Sequence, residues 1–230
     1  MKSGYDISLI KGDGYLVLPI SMARISTGQT PQKIYEVFHY FAKKLEKYSN
    51  DVILMYTSGL YFNAENLSYD KRAKLNEQML NHANALRKLI QKKKQYMPPV
   101  FHFLPIDYII LNAKEFHQFF HILKNLERKN EKFRESIKKD IGKRKYNGAN
   151  VNFILEEVCV AHIIRQRLVE FPRTLVRNDI WRLITYSGEY MASDYYQWKN
   201  KVLPQTDTIN PFNGAQYDFD KKKIFVFDQI

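Results

Sequence analysis

Cysteine is nearly absent from this chain, because its 230 residues contain only one, Cys159. A single thiol excludes an intramolecular disulfide framework and a zinc site built from several thiolates. Cys159 lies inside an apolar stretch with helical spacing, so we interpret it as a small core residue rather than a nucleophile.

Glycine is also scarce, and the spacing of the nine glycines excludes several functional motifs. The closest pair is Gly12-Asp13-Gly14, so the chain has neither the GxGxxG fingerprint of dinucleotide-binding proteins nor a phosphate-binding P-loop. The Gly-x-Ser-x-Gly turn that carries a hydrolase nucleophile is missing too.

Long apolar runs are missing as well. No stretch approaches the roughly 20 residues that a membrane-spanning helix needs, and the first residues contain no apolar segment typical of a secretory signal. We therefore expect a cytoplasmic protein with no membrane partner. Hydrophobic residues still make up 45% of the chain, which is enough for one sizeable core.

Acidic residues are outnumbered, 24 against 36 basic ones, and the net charge is +12. Such an excess favours a polyanionic partner such as nucleic acid, although a basic enzyme without one is the alternative. A long helix predicted over residues 68–95 concentrates this charge and could follow a phosphate backbone or be an ordinary solvated face. Its candidate contacts are Lys71, Lys74, Arg87, Lys88, Lys92 and Lys93.

Apolar runs alternate with amphipathic helices in a pattern that predicts one α/β domain with a parallel sheet flanked by helices. Residues 15–25 are predicted to form a buried strand, Thr30 and Pro31 to begin a helix, and residues 51–56 to form a second strand. Further strands are predicted at 100–104, 180–186 and 224–227, and helices at 114–142 and 151–169. We treat 1–230 as one domain, with an N-terminal extension at 1–14 and a surface loop at 204–220.

Ser26 begins a small polar loop between the first strand and its helix, where α/β proteins place reacting groups or anion sites. Ser21 is a rival, because it also ends an apolar run. Glu157 is the second candidate, since it shares a helix face with Phe153 and Val160 while Glu156 points elsewhere. A carboxylate on an apolar face needs a partner or a shifted pKa, unless it lies at the edge and pairs with a lysine.

A metal site is the weaker possibility. His117 and His121 are four residues apart and could ligate a metal, but only Glu115 stands beside them as an acidic ligand. We therefore interpret them as ordinary neutral histidines and expect no metal.

Taken in order, these stretches resemble the tRNA-dependent cyclodipeptide synthases. The family's strand end Ile-Ser-x-Gly-Asn-Ser corresponds to residues 25–30, and its Asp-Val-Val strand corresponds to residues 51–53. A basic helix follows with a pair of arginines near its end, where this chain has Arg87-Lys88. The second signature, Asn-Tyr-x-x-x-Glu on a late helix, corresponds to residues 152–157.

The resemblance implies a Rossmann-like domain similar to the catalytic domain of class Ic aminoacyl-tRNA synthetases. It also implies a reaction in which Ser26 takes the aminoacyl group from one charged tRNA and a second aminoacyl-tRNA supplies the next residue. A dipeptidyl-enzyme then cyclises to a diketopiperazine, with no cofactor and no metal. Glu157 would bind the substrate's ammonium group and move protons, and we expect a monomer.

Further site residues follow from the same resemblance. Gln29 stands at the family's loop asparagine, and Met22, Ile53 and Val160 match positions that line the amino-acid pocket. Phe153 replaces a tyrosine. A later catalytic tyrosine corresponds either to Phe171, which precedes Pro172, or to Tyr186.

Related activities remain open at this point. The chain could pass one aminoacyl group to another acceptor, or bind tRNA without catalysis. A full aminoacyl-tRNA synthetase is disfavoured, because the His-x-Gly-His and Lys-Met-Ser-Lys-Ser signatures are both missing.

Overall fold

One twisted sheet organises the chain. The computed structural model describes residues 14–44, 50–57, 67–93, 101–166, 168–169, 181–187, 191–205, 215–218 and 223–226. Its strands are β1 (Gly14–Ile20), β2 (Asn50–Tyr56), β3 (Phe101–Pro105), β4 (Trp181–Ser187), β5 (Ala215–Asp218) and β6 (Lys223–Val226). They form a six-stranded sheet in the order β3-β2-β1-β4-β5-β6.

The strand directions define the fold class. Strands β3, β2, β1, β4 and β5 are parallel to one another, and β6 is antiparallel to β5. This order, which reverses between β1 and β4, is that of a Rossmann-like sheet. The predicted α/β class with a parallel sheet flanked by helices is therefore confirmed.

Helices cover both faces of the sheet. They are α1 (Pro31–Lys44), α2 (Tyr69–Lys93), α3 (Asp107–Asn112), α4 (Phe116–Lys129), α5 (Glu131–Ile141), α6 (Gly148–Arg165) and α7 (Ala192–Lys199). Alternate strand residues point to opposite faces. Val17, Ile53 and Met55 therefore belong to the core of α3 to α7, while Tyr56 and Phe103 contact α2.

Short polar side chains begin several helices. Thr30 Oγ1 accepts the amide of Lys33 at 3.4 Å, which confirms the predicted start of α1 at Pro31. Asn130 separates α4 from α5 and accepts the amide of Phe133 at 2.9 Å. Asn147 caps α6 in the same way, so that helix begins at Gly148 rather than at the predicted residue 151.

The predicted end of β1 was wrong. The strand ends at Ile20 and not at residue 25, because the backbone turns immediately and Arg24 donates its amide to the Ser21 carbonyl at 2.9 Å. Met22 and Ile25 are buried inside the turn, at 3% and 9% exposure. Their burial made a compact loop resemble a strand in sequence.

The predicted surface loop at 204–220 was also wrong in part, because β5 lies within it. This four-residue strand contains no apolar run, and its backbone pairs with β4 on one side and with β6 on the other. Gly14, assigned to the N-terminal extension, already belongs to β1. Residues 1–13 of the extension lie outside the described part of the chain.

Two carboxylates, the half-buried Asp140 and the buried Asp194, attach α7 to its neighbours. Asp140 of α5 accepts the amides of Ala192 at 2.7 Å and Ser193 at 2.8 Å, and so caps a helix whose own N-cap side chain makes no hydrogen bond. Asp194 pairs with both terminal guanidinium nitrogens of Arg165, with Nη1 2.7 Å from Oδ2. The side chains of this pair are 1% and 0% exposed.

Breaking this buried pair should be costly. We expect Arg165→Met to lower the free energy of unfolding by about 3–5 kcal/mol, because Asp194 would be left charged and buried. Urea unfolding provides the measurement. Lys138→Met removes the exposed ion pair with Glu135, 46% and 53% exposed, and should cost less than about 1 kcal/mol. Equal losses in the two variants would contradict the assignment.

Candidate active site

The loop that carries Ser26 leaves the carboxyl end of β1. In sheets of this order, ligands bind outside the carboxyl ends of the strands where the strand order reverses, which here is between β1 and β4. Ser26 is exposed in this loop. The rival Ser21 directly follows the strand and is half-buried, with its amide and its carbonyl both used in the turn.

Gln29 closes the loop from inside. Its side chain is 4% exposed, its Oε1 accepts the amide of Ser21 at 2.6 Å, and its Nε2 donates to the carbonyl of Pro19 at 3.4 Å. A catalytic role for Gln29 therefore fits poorly, because these bonds direct its amide to the backbone that begins the loop. We interpret Gln29 as a residue that shapes the loop.

A buried chain of hydrogen bonds joins this loop to α2. His82 Nε2 lies 2.7 Å from the carbonyl of Gln29, and His82 Nδ1 lies 2.8 Å from the hydroxyl of Tyr56. A carbonyl can only accept, so Nε2 carries the proton and Nδ1 accepts from Tyr56. Burial lowers the pKa of His82, which favours this neutral imidazole. The sequence placed His82 on the apolar face of its helix but gave no sign of these bonds.

Glu157 is the electrostatic centre of the site. It lies half-buried on α6, and the positive charge of Arg24, in the Ser26 loop, acts to lower its pKa. Burial raises the pKa of Glu157 to about 7, against the lowering effect of Arg144 and Arg24; Asp140 adds to the rise. A carboxyl group with this pKa can accept or release a proton at neutral pH.

Phe153 and Arg144 flank Glu157. Phe153 is buried one helical turn before it, and the guanidinium carbon of Arg144 lies 5.3 Å from the centre of the phenyl ring. This is a cation–π contact that also keeps a positive charge beside the carboxylate. Arg144 was missed in the sequence, because its place over Phe153 depends on the turn between α5 and α6.

Glu156, predicted to point elsewhere than the face of Phe153 and Val160, has a different charged neighbour. It is half-buried, and burial, followed by the charge of Asp107, raises its pKa to about 7. Asp107 begins α3 at the carboxyl end of β3. The approach of α3 to α6 is a tertiary contact that helical periodicity could not predict.

The three residues predicted to line a pocket are all buried. Met22 is 3% exposed in the loop after β1, while Ile53 on β2 and Val160 on α6 are 0% and 3% exposed. Ile53 and Val160 belong to the same core cluster. Tyr186 lies on β4, opposite Gln216, but its side chain and the whole of Phe171 lie outside the described part.

The predicted basic surface lies on α2. Its six candidate side chains are all exposed: Lys71, Lys74, Arg87, Lys88, Lys92 and Lys93. Arg87 differs from the others because its guanidinium carbon lies 4.0 Å from the centre of the Phe103 ring. This contact ties Arg87 to the sheet, so Lys88 and Lys92 are better probes of an outer binding surface.

Other features of the described residues do not indicate a second functional site. His117 and His121 are exposed on α4, and no group of three metal-ligating side chains occurs among the described residues. No helix within the described ranges is long and apolar enough to cross a membrane. Cys159 is buried and unpaired with another cysteine, as expected for a core residue.

This chain is similar to known proteins in structure rather than in sequence. No protein-family model matches the sequence, and no curated protein sequence matches it significantly. Solved structures do match at low sequence identity. The geometry defines the chain as an α/β protein with a Rossmann-like sheet whose candidate site lies at the carboxyl edge of the strands.

Cyclodipeptide synthases are among the matching structures. The enzyme from Staphylococcus haemolyticus gives a TM-score of 0.57 at 10% identity, covering 94% of this chain and 92% of its own. That from Bacillus thermoamylovorans gives 0.54 at 12% identity, covering 94% and 90%. A Mycobacterium tuberculosis protein, described as showing that cyclodipeptide synthetases are related to type I tRNA synthetases, gives 0.52 at 11%, covering 94% and 86%. The chain thus has the cyclodipeptide synthase fold, and the predicted resemblance is confirmed at that level.

The raised pKa of Glu157 predicts a pH-dependent effect on stability. Its folded pKa of about 7 exceeds an unfolded value of about 4.3, so the folded form is favoured at low pH and loses stability as the pH rises through 7. Glu157→Gln should therefore raise the free energy of unfolding at pH 8, by about 1–3 kcal/mol, and raise it less at pH 5. Denaturant unfolding at both pH values is the measurement.

The exposed Glu135 on α5 offers a matched control. Glu135→Gln makes the same chemical change without removing a buried charge, and its effect should differ little between the two pH values. A Glu157→Gln variant that is less stable than the parent at pH 8 would show that the carboxylate is stabilised by its surroundings.

Proposed function

We propose that this chain is a cyclodipeptide synthase, which uses two aminoacyl-tRNAs to form a diketopiperazine. The proposal is carried by one observation: a fold shared with cyclodipeptide synthases over 94% of the chain has Ser26 in the loop after β1 and Glu157 electrostatically linked to that loop through Arg24. The net charge of +12 suits a polyanionic substrate.

Ser26 is the proposed nucleophile. Its Oγ attacks the ester carbonyl of the first aminoacyl-tRNA, an aminoacyl-serine ester forms, and the 3′ oxygen of the tRNA leaves with the proton. The starting ester already carries the activation, so the reaction needs neither ATP nor a metal. The exposure of Ser26 supports this role, because a bulky tRNA end has to reach it.

Glu157 serves the second half of the reaction. Its carboxylate binds the α-ammonium group of the aminoacyl-serine and accepts a proton from it, after which the amine attacks the ester of the second aminoacyl-tRNA. The second tRNA leaves, and the free amine of the dipeptidyl-enzyme attacks the Ser26 ester to close the ring. A pKa of about 7 suits both proton acceptance and proton release near neutral pH.

Met22, Ile53 and Val160 remain the proposed lining of the amino-acid pocket, which their apolar character would suit to an apolar residue. Phe153 lacks the hydroxyl that the resemblance leads one to expect. Arg144, over the Phe153 ring, supplies a charged hydrogen-bond donor in the same neighbourhood. Tyr186 and Phe171 stay predictions, as does a monomeric, cytoplasmic enzyme.

A serine-dependent product is the decisive test. Expression of the chain in a bacterial host should add diketopiperazines to the culture medium, detected by mass spectrometry. The purified protein should be labelled when incubated with radiolabelled aminoacyl-tRNA, and Ser26→Ala should abolish both signals. Ser21→Ala is the matched control, and we expect it to keep the label.

The outcomes separate the proposed activity from its relatives. Label on Ser26 without a cyclic product would indicate transfer to another acceptor, and tRNA binding without label would indicate a binding module. Undiminished labelling of the Ser26→Ala variant contradicts the choice of nucleophile.

The tRNA surface on α2 can be tested through its salt dependence. Lys88→Glu/Lys92→Glu should weaken tRNA binding, and should lower the slope of log affinity against log salt by about one unit for each lost phosphate contact. Lys129→Glu/Lys132→Glu changes the net charge equally at exposed positions of α4 and α5, and should leave binding close to the parent. Equal effects of the two variants would show that net charge alone governs binding.

A further inference from the structure

His82 lies where three elements meet, and the reaction proposed above gives it no role. It belongs to α2, and its two ring nitrogens bond to Tyr56 at the end of β2 and to Gln29 in the Ser26 loop. Tyr56, His82 and Gln29 are only 2%, 6% and 4% exposed. The Tyr56 and His82 rings also meet edge to face, with centroids 5.8 Å apart.

We propose that His82 is a positioning residue that holds the Ser26 loop in its reactive shape and attaches that loop to α2. The inference rests on the proposed function for the role of Ser26, whereas the contacts themselves are observed. It makes the inner face of α2 part of the catalytic machinery, in addition to the outer face that is proposed to bind tRNA.

Gln29 is held from two sides. Its side chain binds the backbone of Ser21 and Pro19, its amide donates to the carbonyl of Arg24 at 2.8 Å, and its carbonyl accepts from His82. Residues 21–29 are thereby closed into a compact loop that includes Ser26. The bond from His82 is the one among these whose partner lies outside residues 19–29, 53 residues along the chain.

The two ring nitrogens of His82 make different hydrogen bonds, Nε2 with Gln29 and Nδ1 with Tyr56. Substitution by glutamine or by asparagine tests the two bonds separately. Glutamine can reach the place of Nε2 and still donate to the Gln29 carbonyl. Asparagine is shorter, can reach only the place of Nδ1, and leaves that buried carbonyl without its donor. An unsatisfied buried carbonyl is costly, so the loop of the His82→Asn variant should open more often than that of His82→Gln.

Trypsin cleavage after Arg24 reports loop opening without any assumption about function. Arg24 is exposed but the following Ile25 is buried, so cleavage requires the loop to open. We expect the cleavage rate at Arg24 in His82→Asn to rise about tenfold, and in His82→Gln to stay within about twofold of the parent. Cleavage in the exposed turn at residues 143–145 serves as the internal reference and should not change.

Single-turnover labelling of Ser26 by aminoacyl-tRNA tests the catalytic part. His82→Asn should lower the maximal rate about tenfold, with little change in the tRNA concentration for half-maximal rate, and His82→Gln should restore most of it. A simple loss of tRNA affinity would move the concentration dependence instead, and would overturn the proposal.

Tyr56→Phe keeps the test decisive if both His82 variants fail to fold. The substitution removes the hydroxyl that donates to Nδ1, so the imidazole ring that holds Gln29 can move more freely. We expect the cleavage rate at Arg24 to rise severalfold and the cleavage rate in the turn at 143–145 to stay unchanged. Equal cleavage at Arg24 in the parent and Tyr56→Phe, or in His82→Asn and His82→Gln, would overturn the proposal. Failure of the proposed function would instead leave the parent unlabelled while the cleavage comparison still held.

Discussion

The half-buried carboxylate of Glu157 sets the main constraint on this structure. Burial makes its charge unfavourable, and the nearby positive charges of Arg144 and Arg24 oppose that effect. Glu157 therefore lies at the balance point between the neutral and charged forms near pH 7. These charges lie on α6, on the turn before it and on the loop after β1. The pKa of Glu157 stays near 7 only while these three elements remain close together.

Contacts with neighbouring helices hold α6 in place. Arg165 at its end is locked to Asp194 of α7, and α7 is in turn capped by Asp140 of α5. Asp140 has a second effect, because its own charge raises the pKa of Glu157. One carboxylate thus stabilises a helix start and helps to keep a second carboxyl group protonatable.

Much of the fold was predictable because its signals are local. Thr30 and Pro31 mark the start of α1 by their own chemistry, and the burial of Glu157 followed from its position between Phe153 and Val160 on one helical face. The end of β1 was not predictable, since Met22 and Ile25 are as apolar as strand residues although they fill a turn. Whether an apolar side chain fills a loop or a sheet depends on tertiary structure.

Parts of the site were hidden for a different reason. The bonds of Gln29 and His82 go largely to backbone atoms, and almost any residue can supply a backbone carbonyl or amide, so no side-chain pattern reveals them. The raised pKa of Glu156 was not predictable, because Asp107 comes from another helix. Electrostatic environments of this kind are set by packing between elements that are distant in sequence.

The same backbone bonding bears on how freely this protein could be redesigned. The loop after β1 is closed by the Gln29 side chain, which accepts the amide of Ser21, and by backbone bonds of Ser21, Arg24, Thr27 and Gln29. Every residue type except proline can provide such a backbone amide and carbonyl. A Cβ added at Gly28 would meet only the flexible side chain of Arg24, at 3.9 Å. Met22 and Ile25 fill the turn and Arg24 acts on Glu157. The exposed Ala23 and Thr27 and the half-buried Gly28 are therefore the loop positions whose side chains can be varied in a library while the loop keeps its shape, which makes them a natural starting point for altering substrate preference.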